Sequence, residues 1–463
     1  MQQGLTIDLN ERIERLGIGR LAVVVIGLCF MMMIADGYDF AAMSVATPAI
    51  LKQWRISPKE MGFVFSITFF GLLVGSLIYG WLGDRFGRRF TIIFGTFNFG
   101  LPVLLTVWAT NLQELAVLRF IGGIGMGGIV PIAYTVASEY APRRLRSSVT
   151  VVTMTGYSIG AAITGVIASV AIPAYGWASL FVIGASASLV MAFVLIAALP
   201  ESVLFLALRK PDSPQLRPLA ERLLRGERLD PAARFIARDP QEQRTTPGRD
   251  SVLHLFHGPR AWATTLLWLL FVFDSLGFFF LASWLPVVME TAGVAPSTAS
   301  LTQSLFVFAG LVGGLGIMRF LDRIGPIAVV VLPLLGGPFE LAMGIPGLSH
   351  AWLLAAVAGA GVCLSGIHYA VYAIVVRFYP PSIRGRGVSS ATVFGRAGGI
   401  VAPYIGGSLL AIHMPLQQLM IFAALPCLAT AVIGVALGII YLRHFDEPVE
   451  AAVAAGRAPA RSV

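Results

Sequence analysis

The chain has 463 residues, of which 57% are apolar and 12% charged, against roughly 25% charged in an ordinary soluble domain. That composition excludes a water-facing globular fold, and the formal net charge of +9 does not point to nucleic acid, because the basic residues are scattered through short gaps between apolar stretches. The three cysteines, Cys29, Cys363 and Cys427, lie far apart inside apolar runs, which suggests neither a disulfide framework nor a thiolate metal site.

In chain order, twelve apolar stretches fall at 20–50, 60–82, 90–109, 113–138, 147–172, 177–199, 261–288, 299–318, 327–347, 351–378, 387–412 and 416–442. About 20 residues at 1.5 Å rise cross a hydrocarbon core of about 30 Å, so each can be a membrane span. Asp8, Glu11, Arg12, Glu14 and Arg15 precede the first, which has no clear small-residue cleavage site and reads as a retained helix. The segment 203–258 is charged and interrupted by prolines. Short amphipathic helices are expected there around Leu216 to Leu224 and Ala232 to Ala237. The predicted fold is an all-α membrane protein: twelve transmembrane helices in two pseudo-symmetric six-helix bundles. The boundaries are an N-terminal bundle at 1–202, a cytoplasmic linker at 203–258, a C-terminal bundle at 259–445 and a disordered cytoplasmic tail at 446–463.

Lysine and arginine set the expected orientation. With the N-terminus in the cytoplasm, 28 of the 33 basic residues fall in inside segments, only Lys52, Arg55 and Lys59 fall outside, and Arg119 and Arg396 lie within spans. The excess predicts both termini in the cytoplasm. An internal repeat at a fixed offset of 238 residues maps Asp36 onto Asp274, Asp84-Arg85 onto Asp322-Arg323, Gly87 onto Gly325, Tyr134 onto Tyr372, Pro142 onto Pro380, Arg146 onto Arg384 and Gly160 onto Gly398. An even number of spans separates the copies, so the halves are parallel repeats, the arrangement in which access to a solute alternates by rocking.

Between spans 2 and 3 the chain reads Gly80-Trp-Leu-Gly-Asp84-Arg85-Phe-Gly87-Arg88-Arg89. Glycines permit a tight turn and close helix approach, and Asp84 at a helix end can meet cations or a facing helix N-terminus. The loop resembles the signature of the major facilitator superfamily. Arg119-Phe-Ile-Gly-Gly-Ile-Gly, Glu139-x-x-Pro142-x-x-x-Arg146 and Pro200-Glu201-Ser202 extend the resemblance along the chain. Asp36-Gly37-Tyr38-Asp39, Leu-Pro200-Glu-Ser-Val and Gly395-Arg396 are most similar to the aromatic acid:proton symporter family. The resemblance implies a cytoplasmic gate made of Gly80, Asp84, Arg85, Gly87, Arg88, Arg89, Glu139 and Arg146. A weaker second copy at Asp322 and Arg323 ends in Pro326.

A charge at the bilayer centre costs roughly 3 kcal/mol on insertion scales, so each needs a partner or a cavity. The resemblance implies that spans 1, 4, 7 and 10 line the central cavity, and they carry Asp36 and Asp39, Arg119, Asp274, and His368. Asp36 and Asp39 share a helix face, and Arg119 lies deep enough to pair with one of them. Such a cluster can couple transport to a proton or serve as a permanent structural salt bridge. Asp274 can titrate, accept from a substrate hydroxyl, or be a structural remnant. Arg396 in span 11 can bind a carboxylate bidentately or pair with Asp274 or Glu340. His368, with Tyr369 and Tyr372 nearby, can bind substrate, relay a proton or pack. Phe273, Phe278, Phe279, Phe280 and Trp284 can stack on an aromatic solute, although packing explains most such rings. Glu340 is expected in the outer part of span 9, where water reaches it, and is given no role.

The chain shows no phosphate loop, zinc-ligand spacing or nucleophile–base set, which leaves a gradient as the energy source. Span 5, Gly156-Tyr-Ser-Ile-Gly160-Ala-Ala-Ile-Thr-Gly165, lacks the Gly-Pro step that the superfamily's exporters usually show. The expected function is therefore a proton-coupled importer of a small aromatic carboxylate in the bacterial cytoplasmic membrane. It needs no cofactor or metal, is not an enzyme, and acts as a monomer, with a small organic anion, protons and the bilayer as partners. Proton coupling falls to Asp36 and Asp39, and substrate binding to Arg119, Asp274, His368, Tyr372 and Arg396. The alternatives are a porter or exporter of a sugar, drug or metabolite, or a non-transporting membrane sensor.

Overall fold

The computed structural model describes residues 6–224, 234–236, 255–256, 260–324, 328–379 and 383–444, without the side chains of residues 6, 234, 317–324 and 328. The first half of the chain folds into α1 (Leu9–Leu16), α2 (Arg20–Trp54), α3 (Pro58–Phe86), α4 (Arg88–Leu105), α5 (Leu112–Glu139), α6 (Arg146–Tyr175), α7 (Ala178–Ala198), α8 (Val203–Arg209) and α9 (Leu216–Leu223). The second half gives α10 (Arg260–Thr291), α11 (Pro296–Ile324), α12 (Ala328–Met343), α13 (His350–Ala360), a π-type turn (Gly361–Ser365), α14 (Gly366–Phe378), α15 (Arg384–Ala411) and α16 (Leu416–His444).

Among the described residues, ten helices are long and apolar enough to cross a membrane, and Val329–Met343 is a shorter apolar helix. The stretch expected at 387–412 lies on α15, where Arg384, Arg386, Arg396 and several glycines lower its apolar character. The local chemistry accounts for the ends. Ser57 and Glu60 form a capping box with Pro58 in the first turn of α3, a strong start signal. Asn111 accepts from the Glu114 N–H at the start of α5.

The segment expected to be a linker departs from the sequence reading in one place. Leu216–Leu223 is helical as expected, but Arg234–Ile236, within the second expected helix, is a strand (β2). It pairs in parallel with β1 (Thr6–Asp8), Ile7 opposite Phe235. The β-branched and aromatic residues there suit a pleated pairing, and the partner, 228 residues earlier in register, is invisible to a local pattern.

The chain forms two compact units. The first holds Met1–Gln243, Phe280–Phe308 and Ile400–Met414, and the second holds Arg244–Phe279, Ala309–Gly399 and Pro415–Val463. In the first unit, α2 and α6 cross in near backbone contact. A Cβ on Gly37 would lie 1.9 Å from the Tyr157 carbonyl oxygen, and one on Gly160 would lie 2.0 Å from that of Ile34. Close approach of this kind is the main source of packing between helices in lipid, where the hydrophobic effect is silent. The same unit includes one end each of α10 and α11. There Lys52 of α2 pairs with Glu290 of α10, two residues related by the 238-residue repeat, and the Ser44 hydroxyl donates to the Ser283 carbonyl at 3.0 Å.

The second unit has an apolar core in which Leu267, Leu270 and Phe271 of α10 meet Ile374, Val375 and Phe378 of α14. Trp268 stacks on Phe394 at 4.1 Å and donates its indole N–H to the Ser390 hydroxyl at 3.1 Å. The π-type turn interrupts α13 and α14 one residue before Gly366 and three before His368. Such turns often sit at functional sites.

The α2–α6 crossing yields the first expected outcome. Gly160→Ala forces the two backbones apart and lowers stability by about 2 kcal/mol, in the range of core overpacking. Gly80→Ala, whose Cβ meets no atom within 4 Å, leaves stability unchanged or slightly raised through helix propensity. Thermal unfolding of the two detergent-purified variants against wild type checks this contrast.

Candidate functional site

Successive helical residues turn by about 100°, so neighbours along Asp36 to Asp39 face different helices. Gly37 faces α6, Tyr38 packs against Gly184 of α7, and Asp39 faces α5. There the Arg119 Nη1 donates to Asp39 Oδ2 at 2.9 Å, with both side chains only 3% exposed. The guanidinium also lies over the Phe181 ring, 4.4 Å from its centroid, a cation–π contact strengthened by burial. Arg119 Nε and Nη2, Asp39 Oδ1 and Asp36 Oδ1 are buried with no hydrogen-bond partner. Asp36 is 3% exposed. The structure thus brings Arg119 to Asp39 and leaves Asp36 outside the pair.

A cavity of about 30 Å³ adjoins this pair, lined by Asp39, Phe40, Ser44, Arg119 and Ser283 among others. It has room for water, whereas an apolar cavity of about 150 Å³ is what takes a benzene ring. The spare donors and acceptors around it are suited to holding water or a small charged group.

In the second unit, His368 Nδ1 lies 2.7 Å from Asp274 Oδ2, with the carboxylate side chain 1% exposed and the imidazole 16%. Aromatic rings fix the imidazole. Phe278 stacks on it at 4.4 Å and 8°, and Phe279 meets it edge-on at 5.5 Å. Tyr372 stands 6.3 Å away and is held in turn by Phe271 at 5.1 Å. Arg396 of α15 lies close enough to act electrostatically on the Tyr372 hydroxyl. Asp274, His368, Tyr372 and Arg396 therefore belong to one neighbourhood. Glu340, expected where water reaches it, is instead fully buried, and neither of its oxygens has a hydrogen-bond partner, so it is no counter-ion for Arg396.

The signature loop sits between α3 and α4. Gly87 has φ 106°, which favours glycine, and a Cβ there would strike the Glu201 carboxylate at 2.2 Å. That carboxylate explains the turn. Its Oε1 accepts from the N–H groups of Arg88 and Arg89 at 2.8 and 3.0 Å, capping the positive end of α4. Arg88 donates to the Gly83 carbonyl at 2.6 Å and to Asp84 at 3.1 Å, and lies 3.7 Å from Glu139. Glu139 accepts from the Ser202 hydroxyl. Arg89 donates to the Leu199 and Ile196 carbonyls at 2.7 and 2.6 Å. Arg85 instead lies over Trp81.

Arg146 donates to Asn10 at 3.0 Å, and Glu14 accepts from the Arg143 N–H at 2.6 Å. The Tyr140 hydroxyl, which donates to the Glu201 carbonyl, is pushed well above the usual phenol range by burial. The side chains of Asp322 and Arg323 lie outside the described ones. The sequence motif Pro200-Glu201-Ser202 contains Glu201 without revealing its role, since its partners at Gly87 to Arg89 lie more than 110 residues earlier.

The chain matches the Major Facilitator Superfamily over residues 28–339 and again over 267–462. It is 34% identical over 439 residues to the 4-hydroxybenzoate transporter PcaK of Pseudomonas putida, covering 93% of this chain and 96% of that protein. It is 32% identical to a gallate transporter of Pseudomonas putida, covering 94% and 96%. Two solved structures share the fold. A bacterial homologue of the human lysosomal transporter Spinster superposes with a TM-score of 0.70 at 16% identity, over 93% of this chain and 100% of that one. A D-xylose–proton symporter gives 0.65 at 14%, over 91% and 97%. On these grounds the chain belongs to the Major Facilitator Superfamily: it is a multi-pass membrane transporter rather than an enzyme, and its sequence is similar to those of the superfamily's aromatic-acid transporters.

Proposed function

We propose that the chain imports a small aromatic carboxylate together with protons, by alternating access, across a bacterial cytoplasmic membrane, as a monomer with both termini in the cytoplasm. The observation that carries this reading is the Asp36, Asp39 and Arg119 cluster buried within α2 and α5. Arg119 holds Asp39 as a paired carboxylate, while Asp36, a second carboxyl three residues away on the same helix, has no cation bonded to it. Two such groups in unlike surroundings separate in proton affinity, and the unpaired one is suited to gain and lose a proton.

The relatives support the substrate class through the aromatic acids in their names. The chemistry of the second unit agrees. Phe278, Phe279 and Tyr372 present ring faces and edges around His368, Asp274 and His368 can receive a ring hydroxyl, and Arg396 supplies a guanidinium for a carboxylate. Arg119 keeps two N–H-bearing nitrogens unbonded, a further anchor for an anion. The loop centred on Gly87 and Glu201, with Asp84, Arg88, Arg89, Glu139 and Arg146, serves as the cytoplasmic gate. Co-transport of one proton with a monoanion moves no net charge, so a pH gradient alone can drive uptake.

The direct test is uptake of labelled benzoate, 4-hydroxybenzoate, gallate and a hexose into proteoliposomes with an imposed inward proton gradient, with entry into empty liposomes subtracted. Wild type is expected to accumulate at least one aromatic acid and no hexose, and Asp36→Asn to lose gradient-driven accumulation. Saturable binding without accumulation of any acid would instead mark a sensor.

Asp39 and Asp36 part company in a second measurement. Asp39→Asn strands the Arg119 charge and destabilises the protein by about 3–5 kcal/mol, the cost of breaking one side of a buried pair. Asp39→Asn with Arg119→Gln recovers most of that stability without recovering uptake. Asp36→Asn unfolds at the wild-type temperature. Thermal unfolding of the three variants reads these differences.

A further inference from the structure

Glu340 is a buried carboxyl that the reading above does not use. It is 0% exposed, and both its oxygens are buried without a hydrogen-bond partner among the described residues. It is the only titratable residue on α12, which carries Pro333 and Pro338. Its surroundings are set by Gly336, one helical turn earlier on the same face, where a Cβ would meet Cys363 Cβ at 3.2 Å and Cys427 Sγ at 3.5 Å. Both cysteines are free and buried. Glu340 thus looks into a wall made by the π-type turn and α16, and the Cys427 thiol lies within reach of its carboxyl. A thiol is a weak donor, and burial without a stronger partner penalises a charge.

Cys427 also lines a cavity of about 10 Å³, together with Asp274, Phe278, Pro333, Leu364 and Thr430 among others, a volume that admits about one water. Asp274 Oδ1, on the wall of that cavity, is buried without a partner, while Oδ2 faces His368. The titratable groups around Glu340 are therefore Cys427 from α16, Cys363 from the π-type turn, and, beyond the cavity, Asp274 from α10 with His368 from α14. The repeat gives Glu340 no counterpart, since the equivalent position in the first half is Pro102. Packing inherited from the duplication does not explain it.

We infer that Glu340 is a second proton-binding site of the transport cycle, exchanging its proton with the Asp274–His368 pair through Cys427 and the water-sized cavity. The proton leaves the Glu340 carboxyl, is carried by the thiol or a water in the cavity, and arrives on Asp274 Oδ1. The inference rests on the proton-coupled reading above, and it gives the second unit a proton store distinct from Asp36 and Asp39.

Infrared spectra of the purified protein and transport in proteoliposomes test it together. Wild type at neutral pH is expected to show the carbonyl band of a protonated, weakly bonded carboxyl that Glu340→Gln lacks, and the band is expected to change when 4-hydroxybenzoate is added. Glu340→Gln, which copies the neutral acid in shape, is expected to keep counterflow exchange of labelled 4-hydroxybenzoate and to lose accumulation driven by the pH gradient. A wild-type spectrum whose carboxyl bands are unchanged in Glu340→Gln overturns the assignment, as does a variant that accumulates as wild type does. Wild type that ignores the proton gradient defeats the proton-coupled reading itself, a result distinct from a driven wild type beside an equally driven variant.

Discussion

The structure depends on one constraint: a charge placed among apolar helices must be bonded, neutralised or given water. The Asp39–Arg119 contact is the plainest response. Two side chains, each 3% exposed, meet at 2.9 Å, and the Phe181 ring covers the guanidinium. Because the partners come from α2 and α5, the bond also fixes the rotation of α2 about its own axis. That rotation carries Asp36, Gly37 and Tyr38 with it. The turn therefore behaves as one unit in which a structural bond and an unpaired carboxyl are set by the same geometry.

Backbone contact between helices makes the arrangement rigid enough to matter. Gly37 lies between the two carboxylates, so the residue that brings α6 against α2 is part of the charged motif itself. The turn at Gly87 uses a related device. Its positive φ and missing Cβ admit the Glu201 carboxylate to the start of α4, and that carboxylate gathers Arg88 and Arg89 by their backbone N–H groups. The arginine side chains are then left to bond carbonyls and acidic groups of neighbouring segments. A sequence motif that looks like a string of charges is thus first a backbone device and only second an electrostatic one.

Much of this was legible in the sequence, for identifiable reasons. Apolar runs of about 20 residues announce spans because the bilayer permits few alternatives. The repeat and the signature loop are visible because they need the same residue types at fixed spacing. Which aspartate takes Arg119 was not legible, since Asp36 and Asp39 share a face and only the rotation fixed by packing separates them. The strand at Arg234–Ile236 was missed because its partner is at the N-terminus. Glu340 was misplaced because depth along a span says nothing about what stands beside it, and the walls that bury it come from the π-type turn and α16.

The two halves of the repeat answer the same constraint differently. Asp36 and Asp274 occupy equivalent positions, yet their partners do not correspond. The first half has Asp39 and Arg119 where the second has Gly277 and Val357, and the second has His368 where the first has Val130. Arginine offers only donors, whereas an imidazole nitrogen can donate or accept. The first half therefore holds one carboxylate against a permanent cation and leaves its repeat-equivalent aspartate unpaired. The second half gives the equivalent aspartate an imidazole partner at 2.7 Å. One buried carboxyl recurs in each half, and differences at three repeat-related positions leave a fixed ion pair beside a lone acid in one and an aspartate–histidine pair in the other. The asymmetry thus sets an arginine-bonded carboxylate in one half and a histidine-bonded one in the other.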